Sequence, residues 1–142
     1  MQSFSCRLTT LTLASVALVT GCMHMSAPSN LDYSRTRSSE HGIYRAAIKP
    51  DGDSIPQGKL QKWTLHLDAA SGAPVSAARV AVDGGMPQHG HGLPTRPRVT
   101  RNLGDGRYEI EGVRFNMGGW WEFKLAIAGS RGADTVTFNL AL

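Results

Sequence analysis

The sequence predicts an all-β fold, an immunoglobulin-like antiparallel β-sandwich of about seven strands, on three observations. Apolar and polar residues alternate with a period of two in segment after segment. The clearest case is Trp63, Leu65 and Leu67 alternating with Thr64, His66 and Asp68. Sixteen glycines and seven prolines in 142 residues place turns at short intervals, which keeps the strands short. Beyond residue 42 no segment holds the period of an amphipathic helix. A small barrel is the rival architecture, because periodicity reports the buried face of a strand and not how the sheet closes.

Tyr44, Ala46 and Ile48 alternate with Arg45, Ala47 and Lys49, and Pro50-Asp51-Gly52-Asp53 ends this strand with turn residues. A loop with Pro56 and Gly58 leads into the Trp63 strand, whose other face carries His66. After the Ser71-Gly72-Ala73-Pro74 turn, Ala78, Val80 and Val82 alternate with Arg79, Ala81 and Asp83. A long connection runs to about Pro97. Val99 and Leu103 then resume the inward pattern, with Arg101 an imperfect member of that face. Gly104-Asp105-Gly106 marks a tight hairpin, since both residue types tolerate positive φ.

Tyr108 and Ile110 point inward, yet beyond Gly112 the apolar positions are Val113 and Phe115. That slip of one residue predicts a β-bulge at or beside Gly112. Asn116-Met117-Gly118-Gly119 turns into a strand that points Trp121, Phe123, Leu125 and Ile127 inward, and Val136, Phe138, Leu140 and Leu142 complete the fold. Trp63 and Trp121 are the largest candidate core residues, each able to bury about 150–250 Å².

Ahead of the domain, Arg7 precedes an uncharged run at residues 8–20, too short for a comfortable bilayer span and suited to a secretory h-region. The run ends in Val19-Thr20-Gly21-Cys22, which resembles a bacterial lipobox, where the cysteine is lipidated and becomes the new amino terminus. The expected organisation is a lipoprotein signal peptide at 1–21, a polar flexible tether at 22–41 and the folded domain at 42–142. Cys22 is then the lipidation site and the link to the membrane. Met23, rather than aspartate, follows it and resembles the outer-membrane sorting pattern, so a periplasm-facing location is expected in a Gram-negative host. His24, at the foot of the tether, is read as having no specific role.

Formal net charge is +4, and removal of the leader takes away Arg7 and no acidic residue, leaving +3. Its carriers are scattered. The tightest group, Arg96, Arg98 and Arg101, lacks the stacking aromatics of a nucleic-acid site and reads as solvated side chains. No nucleic-acid partner is expected. Both cysteines, Cys6 and Cys22, lie in the first 22 residues, so the domain is expected to hold together without a disulfide. No nucleophile sits in a recognisable catalytic motif and no spaced carboxylate pair stands out, so an enzyme is not expected.

The unusual constellation is Gly84-Gly85-Met86-Pro87-Gln88-His89-Gly90-His91-Gly92, inside the long connection. Histidines two apart project to one side where the backbone is extended, so His89 and His91 can offer two imidazoles to one ion. Met86 reaches the same point if Pro87 turns the chain. Met117, 26 residues beyond His91, joins them if its turn lies at the same end of the sandwich. Imidazole with thioether is a soft, neutral donor set that favours Cu(I). Structural zinc wants thiolates and calcium wants carboxylates. The plainer reading is a polar connection whose histidines bond backbone carbonyls, with Met86 and Met117 filling the sandwich end. His66 reads as a surface or inter-strand residue.

Gly72-Ala73-Pro74-Val75, the 78–82 strand, Met86-Pro87-Gln88-His89-Gly90-His91-Gly92, Gly104-Asp105-Gly106-Arg107-Tyr108 and Met117-Gly118-Gly119-Trp120 follow one another across residues 42–142. This succession resembles the YtkA-like/FixH-like domain family. The resemblance implies a small exported or membrane-anchored β-sandwich, and FixH-like members are associated with copper delivery and assembly of cbb3-type cytochrome oxidase. FixH-type proteins carry a transmembrane anchor where this sequence offers a lipobox. Two expectations result. One is a copper-binding, chaperone-like envelope lipoprotein with ligands His89, His91, Met86 and Met117 and an envelope redox or copper protein as partner. The other is a metal-free module that docks an envelope redox partner through the loop and an exposed Trp120.

Overall fold

The computed structural model describes residues 27–142; the leader, Cys22 and His24 lie outside the described residues. Every regular element among the described residues is a strand: β1 (Thr36–Ser38), β2 (Tyr44–Pro50), β3 (Gln61–Ala69), β4 (Ala78–Met86), β5 (His91–Gly92), β6 (Arg98–Gly104), β7 (Arg107–Val113), β8 (Trp120–Gly129) and β9 (Gly132–Ala141). The seven expected strands are all present, and the short β1 and β5 join them. All pairings are antiparallel, and one hydrogen-bonded path runs β1-β2-β3-β7-β6-β4-β8-β9, with β5 on β4.

β4 and β6 share a single residue pair, Ala81 opposite Arg98. By contrast, the β4–β8 and β8–β9 ladders run nearly the full length of their strands. The sheet therefore divides into two layers, β1-β2-β3-β7-β6 and β5-β4-β8-β9, joined at a narrow seam and wrapped nearly into a barrel. Trp63 and Trp121 lie between the layers, 1% and 0% exposed. Phe115 stands between the two indoles, with centroids 6.0 Å from Trp63 and 5.2 Å from Trp121.

The bulge falls at Gly112. Gln61 faces Val113 and Lys62 faces Glu111, which leaves Gly112 as the extra residue at φ 82°. The slip returns Val113 and Phe115 to the same buried face as Tyr108 and Ile110. The β6–β7 hairpin turns on Asp105 and Gly106, both at positive φ, with Gly104 opposite Arg107. Leu103 departs from expectation, since it is 37% exposed. The β6–β7 register shifts between Val99 and Arg101 and again between Asn102 and Gly104, which turns Leu103 outward. Arg101 also points out and forms a fork on Glu109 at 2.9 and 2.8 Å.

Residues 32–41, read from sequence as the end of a tether, form a strap across the edges of both layers. β1 pairs with β2, while the Glu40 N–H donates to Thr135 O at 2.9 Å and Asn139 Nδ2 donates to Asp32 O at 3.1 Å. The buried polar residues, Ser39, Asp134 and Asn139, all serve this strap. The Asp134 carboxylate accepts the backbone N–H groups of His41, Ile43 and Thr135 and meets His41 Nδ1 at 2.9 Å. Burial alone pushes this carboxyl up. The hydrogen bonds from Ser39, His41 and the backbone outweigh burial and hold it well below the usual carboxylate range. The strap covers the otherwise open edge of β9. The packed domain thus begins near Asp32, earlier than residue 42.

Candidate metal centre

β4 ends at Met86, and residues 87–90 reverse the chain into β5. Pro87 carries a fixed φ into the turn. The backbone N–H groups of His89 and Gly90 both donate to Met86 O at 3.0 Å, and Gly90 closes the turn at φ 65°. β5 then lies back on β4, with Met86 opposite His91 and Gly85 opposite Gly92. A side chain at Gly85 would put a Cβ 2.5 Å from His91 O, so that glycine is what lets β5 approach.

The histidines do not sit on an extended backbone, the condition that the sequence reading set for their convergence. His89 lies in the turn and His91 in β5, yet the reversal at Gly90 still brings them together. Their rings stack with centroids 5.9 Å apart and planes 27° from parallel. His91 Nδ1 lies 3.1 Å from Gly92 O. A carbonyl oxygen can only accept, so Nδ1 is the donor in this contact and Nε2 takes no part in it. Both histidines are exposed, and among the described residues neither is paired with a carboxylate.

Met86 and His91 are cross-strand neighbours and share a face of the hairpin. Met86 is 1% exposed, and its methyl group faces Gly119, where a Cβ would come within 2.9 Å of it. The Met117 turn does lie at this end: Gly119 and Leu142 exchange two backbone hydrogen bonds, continuing the β8–β9 ladder beside Met86. The sequence reading left Trp121 out of the site. Its indole N–H donates to Met117 O at 3.1 Å, and its ring meets His91 edge-on at 5.7 Å. Alternation identified Trp121 as core, and only the tertiary structure reveals this second contact. Met117 is half-buried with its side chain packed on the core. The structure therefore brings His89, His91 and Met86 together and places Met117 alongside, through Trp121.

Residues 38–126 match the family described as YtkA-like. The chain belongs to the YtkA-like family. The match runs from β1 into β8 and takes in the histidine hairpin and Trp121. Among solved structures, the ZirS C-terminal domain is similar at 12% identity and a TM-score of 0.39, over 100% of this chain and 88% of that one. No curated protein matches.

In this YtkA-like domain a cleft of about 290 Å³ flanks His91, lined by Asp83, Gly84, Gly85, Glu122 and Lys124 among others. Lys124 is held by Glu122 at 2.7 Å. Among the described residues no three His, Cys, Asp or Glu side chains converge on one point. His66 is exposed and lies 3.6 Å from Asp68. Trp120, expected to be exposed, is half-buried, with its N–H donated to Asn139 Oδ1 at 3.0 Å. The indole is engaged by the residue that holds the strap, which removes the exposed aromatic from the docking reading.

Proposed function

We propose that this YtkA-like domain binds copper, with Cu(I) favoured, as an accessory or chaperone-like lipoprotein of the cell envelope that serves a respiratory oxidase or metal homeostasis. One observation supports the reading: two exposed imidazoles with ring centroids 5.9 Å apart, in a hairpin where His91 lies opposite the buried Met86. His89 Nε2 or Nδ1 and His91 Nε2 are the primary donors. Met86 is the nearer thioether and Met117 the more distant one. A soft, neutral set of low coordination number suits Cu(I), which accepts two or three such ligands. The ion is cargo, taken up and handed on by ligand exchange, and no bond is made or broken in a substrate. Cys22 is the lipid anchor, and the partner is an envelope redox or copper protein.

A Cu(I) competition titration against a chromophoric chelator tests the reading. Wild-type protein should take up one equivalent. The His89→Ala/His91→Ala variant should lose more than the roughly 100-fold that second-shell changes cost, with its circular dichroism unaltered. Equal affinity in the two proteins sinks the assignment.

A further inference from the structure

The end of the sandwich that holds the histidine hairpin is also where the chain comes in. Asp32 is bound to Asn139, two residues from the end of β9, and Asn139 in turn holds Trp120, the first residue of β8. The strap then runs the length of the domain to His41, which meets Asp134 next to the β8–β9 turn at the far end. Asp32 lies ten positions beyond Cys22. Fully extended, that stretch reaches about 35 Å.

The same end carries Leu60, which at 68% is the most exposed large hydrophobic among the described residues. Leu60 is tied to this end because Gly58 N–H donates to Phe115 O and Gln57 Nε2 to Asn116 O, both just past β7. It stands between two shallow clefts of about 250 and 260 Å³, both lined by Glu111 and by Gly112 of the bulge. Lys62 lines one cleft, and Arg96 and Arg98 line the other. Lys62 engages Glu111 at 2.6 Å. That leaves Arg96 and Arg98 without a carboxylate partner among the described residues; Lys59 precedes Leu60 in the chain, and Arg114 directly follows β7. Asp51 and Asp53 follow β2 at this end, and Asp83 and Glu122 lie on the β4–β8 side, so the cationic excess belongs to the face made by β3, β7 and the start of β6.

We propose that this face is a membrane-docking surface, with Leu60 entering the interface of a bilayer and Arg96 and Arg98 meeting its anionic headgroups. An exposed aliphatic side chain flanked by two arginines that have no carboxylate partner among the described residues is a composition that suits an anionic bilayer surface. The occupant is a bilayer rather than an acidic protein because the chain reaches the domain at this end. The orientation rests on the reading of Cys22 as anchor; the docking face rests on the described residues alone. Docked in this way, the histidine hairpin, which runs through residues 93–97 into Arg98, is held next to the membrane.

The test is hydrogen exchange of the full processed protein on vesicles of phosphatidylcholine, with and without phosphatidylglycerol. Amides in residues 57–62 and 93–98 should be protected on the anionic vesicles only, and about 0.5 M salt should reverse this. Each basic residue near a charged bilayer is worth about fivefold in partitioning, so Arg96→Gln/Arg98→Gln should bind roughly 30-fold more weakly by co-sedimentation. Protection that is equal on both vesicle types, absent from both, or centred on residues 129–132 overturns the proposal. Intact mass reports acylation of Cys22 separately: an unacylated chain that still selects anionic vesicles through Arg96 and Arg98 upholds the docking face while refuting the anchor. The His89→Ala/His91→Ala variant should dock like wild type, which separates this outcome from the copper reading.

Discussion

At the far end of the domain the His41 ring is bound at 2.9 Å to a carboxylate that is itself fully enclosed; at the near end the His91 ring meets only a backbone carbonyl. The partner decides what each imidazole can do. Asp134 favours the charged form of His41 through its hydrogen bond and its charge, with a smaller push from Glu40, and raises its pKa. That imidazole is committed to closing the strap. A neutral carbonyl engages one nitrogen of His91 and leaves the other out of that contact. The hairpin keeps its histidines exposed and, among the described residues, without carboxylate partners.

The comparison breaks most sharply at Asp134. Replacing it with alanine leaves the N–H groups of His41, Ile43 and Thr135 without their acceptor, and the strap should detach. The melting temperature should fall by roughly 10 °C or more, while the imidazole NMR signals of His89 and His91 stay in place. A change at the near end reverses the pattern. Gly119 sits at φ 120° with Met86 against it, so Gly119→Ala should cost about 1–3 kcal/mol by denaturant unfolding and also weaken Cu(I) uptake by moving Met86.

The smallest effect is that of pH. The folded pKa of His41 lies above its unfolded value near 6.5, so its stabilisation is complete below that value and disappears as pH rises through the raised one. Because the ring is largely solvated, the decline in melting temperature between about pH 6 and pH 8 should be slight, and His41→Gln should flatten it. Asp134 runs the other way. Its folded pKa is depressed, so its contribution is whole above the ordinary carboxylate range and is lost as the solution becomes strongly acidic.

The parts of the fold that sequence reading reached are those governed by neighbours in the chain. The Gly112 bulge follows from a phase slip visible over eight residues, and the Asp105-Gly106 turn from two residues that tolerate positive φ. The strap was missed because its fastenings are remote: His41 and Asp134 are 93 residues apart, and Asp32 and Asn139 are 107. No local pattern marks such a pairing. At the candidate site, the histidines and Met86 were legible as residue types, and their meeting was anticipated for the wrong reason. Their convergence was made conditional on an extended backbone, whereas Pro87 and Gly90 bracket a turn, of which only the turn at Pro87 was raised. Leu103 failed because two register shifts in one hairpin undo strict alternation.

The single pairing of Ala81 with Arg98 makes β6 nearly independent of β4 in register. Residues 93–97 can lengthen or shorten without displacing a ladder on either side, because almost no ladder spans the gap. The histidine hairpin hangs from one side of that gap, and Arg98 begins the other. A short stretch of chain, residues 93–97, therefore sets the distance between the hairpin and the start of β6.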